Sequence, residues 1–288
     1  MSGLSVHAHP IGAAAPLEYV IEPHQRWLLP DVRSVWRHRE LLSVLTWRDV
    51  KIRYKQTVLG IAWAILQPTA TMVVFSIFFG RLANLDSEGV PYPIFAFAAL
   101  IPWMFFSNSV ISASNSLLGN AGLITKVYFP RLVIPIASVL SNLVDFALSF
   151  VALLILMLGY GMTPSWSVLL LVFPMLLVLI TALGVGFWLS ALNLQFRDVR
   201  FVLPFCLQLW MFLSPIAYSS SLIEGPWRTL YGLNPMTGVI ECFRWVLYDT
   251  ATSTSPLAIS MSAATSLFLL ATGVTYFQRM ERNFADLV

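Results

Sequence analysis

Charged side chains are scarce in this sequence, 11% of its 288 residues against 58% hydrophobic ones, with a mean hydropathy of +0.76. That balance excludes a water-soluble domain. Histidine is confined to His7, His9, His24 and His38 near the start, so the apolar remainder has no imidazole for acid–base work or metal ligation. Cysteine is limited to Cys206, in an apolar segment, and Cys242, far from it, which gives neither a disulfide framework nor metal-ligand spacing. Also missing are the phosphate loop GxxxxGK[ST], the GxSxG elbow and the HExxH pair. The chain therefore binds no cofactor of its own by these patterns, and any energy source falls to another subunit. Clustered carboxylates, His or Cys at a membrane border, which a membrane-embedded transferase needs, are absent too.

What is present is a series of long apolar runs bordered by basic residues. The net charge of +3 is spread along those borders rather than gathered in a patch, which points to membrane topology and away from nucleic acid. Spans are expected at about 61–82, 93–118, 132–160, 168–192, 201–222 and 257–277, each near the roughly 20 residues a bilayer crossing requires. The fold class is thus an all-α integral membrane protein with six transmembrane helices. Only Arg81, Arg228 and Arg244 fall on the far side in this scheme, so both termini are expected in the cytoplasm. The start MSGLSVHAHP lacks a basic region followed by an apolar core, so targeting is assigned to the first span.

Residues 1–32 hold several prolines and no sustained periodicity and read as a loosely ordered cytoplasmic arm, leaving 33–288 as the six-span domain. The stretch RDVKIRYKQTVLGIAWAILQP from Arg48 passes from basic approach to first span, with Pro68 as an expected kink. Arg48, Lys51 and Lys55 share a helical face beside Trp47, Val50 and Tyr54, which reads as an amphipathic interfacial helix; Arg53 lies off that face. A solvated basic run before a signal anchor is the plainer alternative. A short helix is expected within GNAGLITKVYFP, between the second and third spans. Ala182, Gly186 and Ser190, four apart, suit close helix packing.

Between the fifth and last spans, the apolar stretch from Asn234 to Tyr248 is too short to cross and reads as a re-entrant or interfacial helix. Asn234 is its expected N-cap, Pro235 its first helical residue, and Glu241 and Arg244 an expected pair one turn apart. Asp145 is the only ionisable residue expected inside a span. It either lines a polar path or, as favoured here, sits near the headgroups and pairs with Asn142 or Ser141; a lone acid gives no proton relay. Aromatic residues supply mostly interfacial and lipid-facing packing, while Trp63, Phe75, Phe79, Trp103, Trp210 and Tyr218 are candidates for a lining that stacks on sugar rings. Phe75 and Phe79 share a face, and Trp63, twelve residues earlier, is expected to join them.

Four ordered motifs, RDVKIRYKQTVLGIAWAILQP, KVYFPRLVIP, FRDV and LNPMT, together resemble the membrane subunits of type-two ABC exporters, in the polysaccharide-export branch that handles O-antigen, capsule or teichoic acid. The resemblance covers about Arg33 to the C-terminus. It implies a homodimeric permease of the bacterial inner membrane that moves a lipid-linked polysaccharide through a channel at the dimer interface. Two separate ATPase subunits, carrying ATP and Mg, would dock on its cytoplasmic face. It further implies that Arg48, Lys51, Lys55, Lys126, Phe129 and Arg131 receive the ATPase movement. Re-entrant helices over 227–248, with Trp227, Asn234, Pro235, Glu241 and Arg244, would shape the outer exit. A small-molecule exporter of the same architecture is the alternative.

Overall fold

The computed structural model describes residues 3–6, 19–22, 32–55, 60–127, 129–163, 166–223, 226–248, 256–281 and 284. Within the arm, β1 (Gly3–Val6) and β2 (Tyr19–Glu22) form an antiparallel ribbon in the register Gly3 to Glu22. The rest is helical. α1 (Val32–Arg37) leads into α2 (Arg39–Lys55), and α3 (Ala62–Phe75) runs through Pro68 without stopping before continuing as a π-helix, Ser76–Leu82.

α4 (Tyr92–Gly119) is the centre of the molecule. Pro91 precedes it and Pro93 sits in its first turn, where a missing N–H costs nothing. It is buried along nearly its whole length, whereas the other long helices keep one apolar face open, as a lipid boundary requires. Around it stand α3, α6 (Val133–Ser141), α7 (Leu143–Gly159), α8 (Val172–Gln195, entered through a 3-10 turn at Trp166–Leu171), α9 (Val199–Phe212) and α11 (Pro235–Tyr248). The short α5 (Ala121–Lys126) follows α4, as expected, and α10 (Pro226–Tyr231) precedes α11. α12 (Pro256–Glu281) packs along α8.

Small residues set that last contact: a Cβ on Gly273 would stand 2.3 Å from the Gly184 carbonyl oxygen, and one on Gly184 2.6 Å from the Leu270 amide. Thr181 and Ser266 share a hydrogen bond of 2.9 Å there, and Trp188 stacks on Tyr276 at 4.2 Å. Ala182, Gly186 and Ser190 are buried as their spacing suggested, with Gly186 against Ala113 of α4.

Among the described residues five helices are long and apolar enough to cross a membrane: Ala62–Leu82, Tyr92–Gly119, Val133–Gly159, Trp166–Gln195 and Pro256–Glu281. They fall on five of the six expected spans. The third is not one rod, because α6 ends and α7 begins around Asn142. The expected fifth span is corrected in length: its helix stops at Phe212, giving 14 residues instead of the 201–222 run. Ser214 and Pro215 follow, and proline cannot donate the next helical hydrogen bond.

Candidate functional site

At the α2 end of the bundle, Leu45 of α2 sinks into a cluster with Val133, Ile134 and Ala137 of α6. The opposite face carries Lys51 and Lys55 in the open, with Lys51 over the Trp47 ring and Arg48 paired to Asp49 at 2.8 Å. Arg53, off that face, reaches α7 and forms an ion pair with Asp145 through Nη1. The Tyr54 hydroxyl donates to the other Asp145 oxygen. Burial, then the bond to Asp145, push the Tyr54 phenol well above the ordinary tyrosine range. One turn earlier, Asp49 accepts from Ser138 at 3.3 Å. This corrects the expected pairing of Asp145 with Asn142 or Ser141: residues three and four positions away lie on its own helix stack, whereas a guanidinium from another helix neutralises its charge.

The Arg53–Asp145 pair lines part of a cleft of about 360 Å³ between α3, α4 and α7. Its wall combines Trp63, Phe105 and Phe146 with the amides of Gln67, Asn108 and Asn142. Such a lining presents flat apolar faces and hydrogen-bonding groups side by side, a chemistry suited to hydroxylated rings.

Of the expected aromatic track, only Trp63 opens onto this cleft. Phe75 is buried in the core, where its ring meets that of Phe79 edge-on at 5.2 Å. Trp63 does not share their face: twelve residues at about 100° each leave it roughly a third of a turn away, an error of helical phase in the sequence reading. Trp103 and Trp210 pack against Phe106, at 5.5 and 5.1 Å, and tie α4 to α9.

Near α5, Lys126 is exposed, but Phe129 and Arg131 are buried. The Arg131 amide donates to Glu281 Oε1 at 3.2 Å and its Nη1 to the Glu281 carbonyl at 2.6 Å, with the guanidinium over Phe284. These two residues lock the segment after α5 to the end of α12.

At the opposite end, Asn234 caps α11 as expected: its Oδ1 accepts from the Met236 amide at 3.1 Å and from Trp210 Nε1 at 2.9 Å. Its Nδ2 donates to the Leu213 carbonyl, and Pro235 opens the helix. Trp227 is exposed, and Tyr218 meets Tyr231 hydroxyl to hydroxyl at 2.8 Å. Among the described residues Arg244 and Glu241 form no direct ion pair, although the Glu241 charge acts on the guanidinium. Arg244 donates instead to the carbonyls of Ile216 (3.0 Å), Phe95 (3.4 Å) and Tyr218 (3.5 Å), over the Phe95 ring. Tyr92 donates to the carbonyl of Ala217 at 2.7 Å. The reason is the break after α9: its buried carbonyls have no helical partners, and a fork of fixed N–H donors meets that need better than a neighbouring carboxylate would. Burial lowers the Arg244 guanidinium to about 10, which leaves it charged at neutral pH.

Among the described residues no three His, Cys, Asp or Glu side chains are placed to hold a metal ion. Among the described residues, one buried central helix, four further bilayer-length helices and a basic helix paired to the third span define a multi-pass α-helical membrane protein with a cleft that the pair helps to line. More particularly, the chain belongs to the ABC-2 type transporter family, which matches residues 40–248. It is 32% identical over 258 residues to the O-antigen export system permease protein RfbA of Myxococcus xanthus, covering 88% of this chain and 98% of that one. To the RfbA protein of Klebsiella pneumoniae it is 28% identical over 255 residues, 86% and 95% of the two chains. To the polysialic acid transport protein KpsM of Escherichia coli it is 26% identical over 208 residues, 70% and 79%. The resemblance seen in the four motifs is thereby borne out.

Proposed function

We propose that this chain is the permease subunit of an ATP-driven exporter that carries a lipid-linked, O-antigen-like polysaccharide from the cytoplasm across the inner membrane. The observation that carries this reading is the family match over residues 40–248 in a chain that has no phosphate loop of its own. Relatives named for O-antigen export and polysialic acid transport support a polysaccharide cargo. ATP and Mg belong to two partner ATPase subunits, and two copies of this chain form the channel. Both termini lie in the cytoplasm. The short helix α9 and the turn after it make the fifth of six crossings, and α10 and α11 re-enter the outer leaflet to shape the exit. Residues 33–288 form the permease domain and 1–32 a cytoplasmic arm.

Non-helical backbone at membrane depth is tolerated when protein groups satisfy it, which is what Arg244 and Tyr92 do for residues 216–218. The test is reconstitution with the ATPase in vesicles. ATP-dependent appearance of polysaccharide on the far side, lost with a hydrolysis-deficient ATPase, is expected. ATP-dependent movement of small amphiphiles with no polymer transfer would replace this reading with a small-molecule exporter.

A further inference from the structure

The bonds between α2 and the third span are more elaborate than seating α2 requires. Leu45 already anchors the helix on α6. Arg53 and Tyr54 lie at the other end of α2 and converge on one carboxylate, Asp145, on α7. Arg53 Nη2 also approaches the Ser141 hydroxyl at 3.5 Å.

Where they hold the span is informative. α6 ends at Ser141 and α7 begins at Leu143, with Asn142 between them. Asn142 is only 1% exposed, its Nδ2 donates to the Ser138 carbonyl, and its Oδ1 has no hydrogen-bond partner among the described residues. A polar break of this kind is a place where a helix can bend. Asp145 lies less than one turn beyond it, so a force on that carboxylate acts on α7 rather than on α6. The next turns of α7 carry Phe146 and Ser149, which line the cleft, and the Ser149 hydroxyl donates to the Ala64 carbonyl of α3 at 2.9 Å. One chain of bonds thus runs from the end of α2, across the break, into α7 and on to α3.

We infer that Arg53 and Tyr54 are positioning residues for transport: by gripping Asp145 beyond the break at Asn142, they make α7 follow α2 and so reshape the cleft when α2 is displaced. This rests on the transporter function proposed above and on the expectation from the family resemblance that Arg48, Lys51 and Lys55 of α2 receive the ATPase movement. The two statements fail separately, because polymer export by the unaltered complex is measured first and its absence counts against the function alone.

The experiment compares Arg53→Gln, Asp145→Asn, Tyr54→Phe and the swap Arg53→Asp with Asp145→Arg, each as the full permease–ATPase complex in vesicles. Export, ATP hydrolysis and the amount of assembled complex are read together. Arg53→Gln and Asp145→Asn are expected to lower polymer exported per ATP hydrolysed by about tenfold, and the swap to recover most of that loss, as reciprocal charge exchange does for a direct pair. Tyr54→Phe, which removes one hydroxyl and little volume, is expected to cost roughly two- to fivefold in the same ratio. Unchanged export per ATP in the single variants overturns the inference. So does a loss that tracks only the amount of complex assembled, or a swap no better than either single variant.

Discussion

Cys242 sits on α11 with its thiol half-buried beside Glu241, and burial followed by that carboxylate pushes its pKa up to about 11. A thiol reacts as the thiolate, so raising the pKa lowers reactivity at a given pH. With an unfolded-state value near 8.5, the denatured thiol is about half ionised where the native one is ionised in less than about one molecule in a hundred. In a Cys206→Ser background, alkylation of native protein is expected to rise about tenfold per pH unit from 8 to 10, while denatured protein levels off near pH 9 to 10. Native alkylation that levels off with the denatured sample would show an ordinary, solvated thiol. At this same scale the junction of Arg53 with Asp145 was only half legible. Each was marked as an exception, one basic residue off the basic face and one acid within the spans, but their meeting across 92 positions is a tertiary fact that hydropathy does not encode. The Asn234–Pro235 start of α11 was readable because a cap is local, made by groups two residues apart.

Elements were read best where length and composition decide. The long spans are bounded on both sides by charge or turn residues, and the bilayer fixes their minimum length. α9 was read too long because its apolar composition continues past Phe212, while the helix itself ends before Pro215, and the carbonyls that follow take donors from α11 and α4. The segment around α5 shows a similar division between what a sequence marks and what packing uses. Lys126, Phe129 and Arg131 lie within six residues in the sequence, yet of the three only Lys126 faces outward. Lys126→Glu is therefore expected to weaken ATPase association about tenfold with the permease normally inserted, since reversing an exposed rim charge acts on encounter. Arg131→Glu sets a carboxylate beside Glu281 in a buried site and is expected to lower the permease's own thermal stability and membrane abundance. Pull-down of the ATPase and thermal denaturation of the detergent-solubilised permease separate the two effects. Equal ATPase binding by Lys126→Glu and the unaltered protein would remove Lys126 from the coupling surface.

For the whole molecule the open quantity is the number of crossings, and it turns on α9. Fourteen helical residues at about 1.5 Å each reach about 21 Å, short of a hydrocarbon core of about 30 Å. The turn that follows is buried at Ser214, Ile216, Ala217 and Ser219, and three of its carbonyls from Ile216 to Tyr218 receive protein donors, so it can lie at membrane depth without exposing backbone to lipid. The helix presents Phe201, Val202, Phe205, Leu209 and Phe212 outward, a face that water would not favour. Both observations favour a crossing made of helix and turn together, and an odd total would also move α12's basic end to the outer side against the positive-inside rule. Single cysteines decide it in a cysteine-free background. Asp86→Cys and Leu257→Cys are expected to react with a membrane-impermeant maleimide in intact cells, and Thr125→Cys and Arg197→Cys only after permeabilisation. If α9 does not cross, Leu257→Cys joins the protected pair while Asp86→Cys still reacts, and the fifth crossing has to be abandoned.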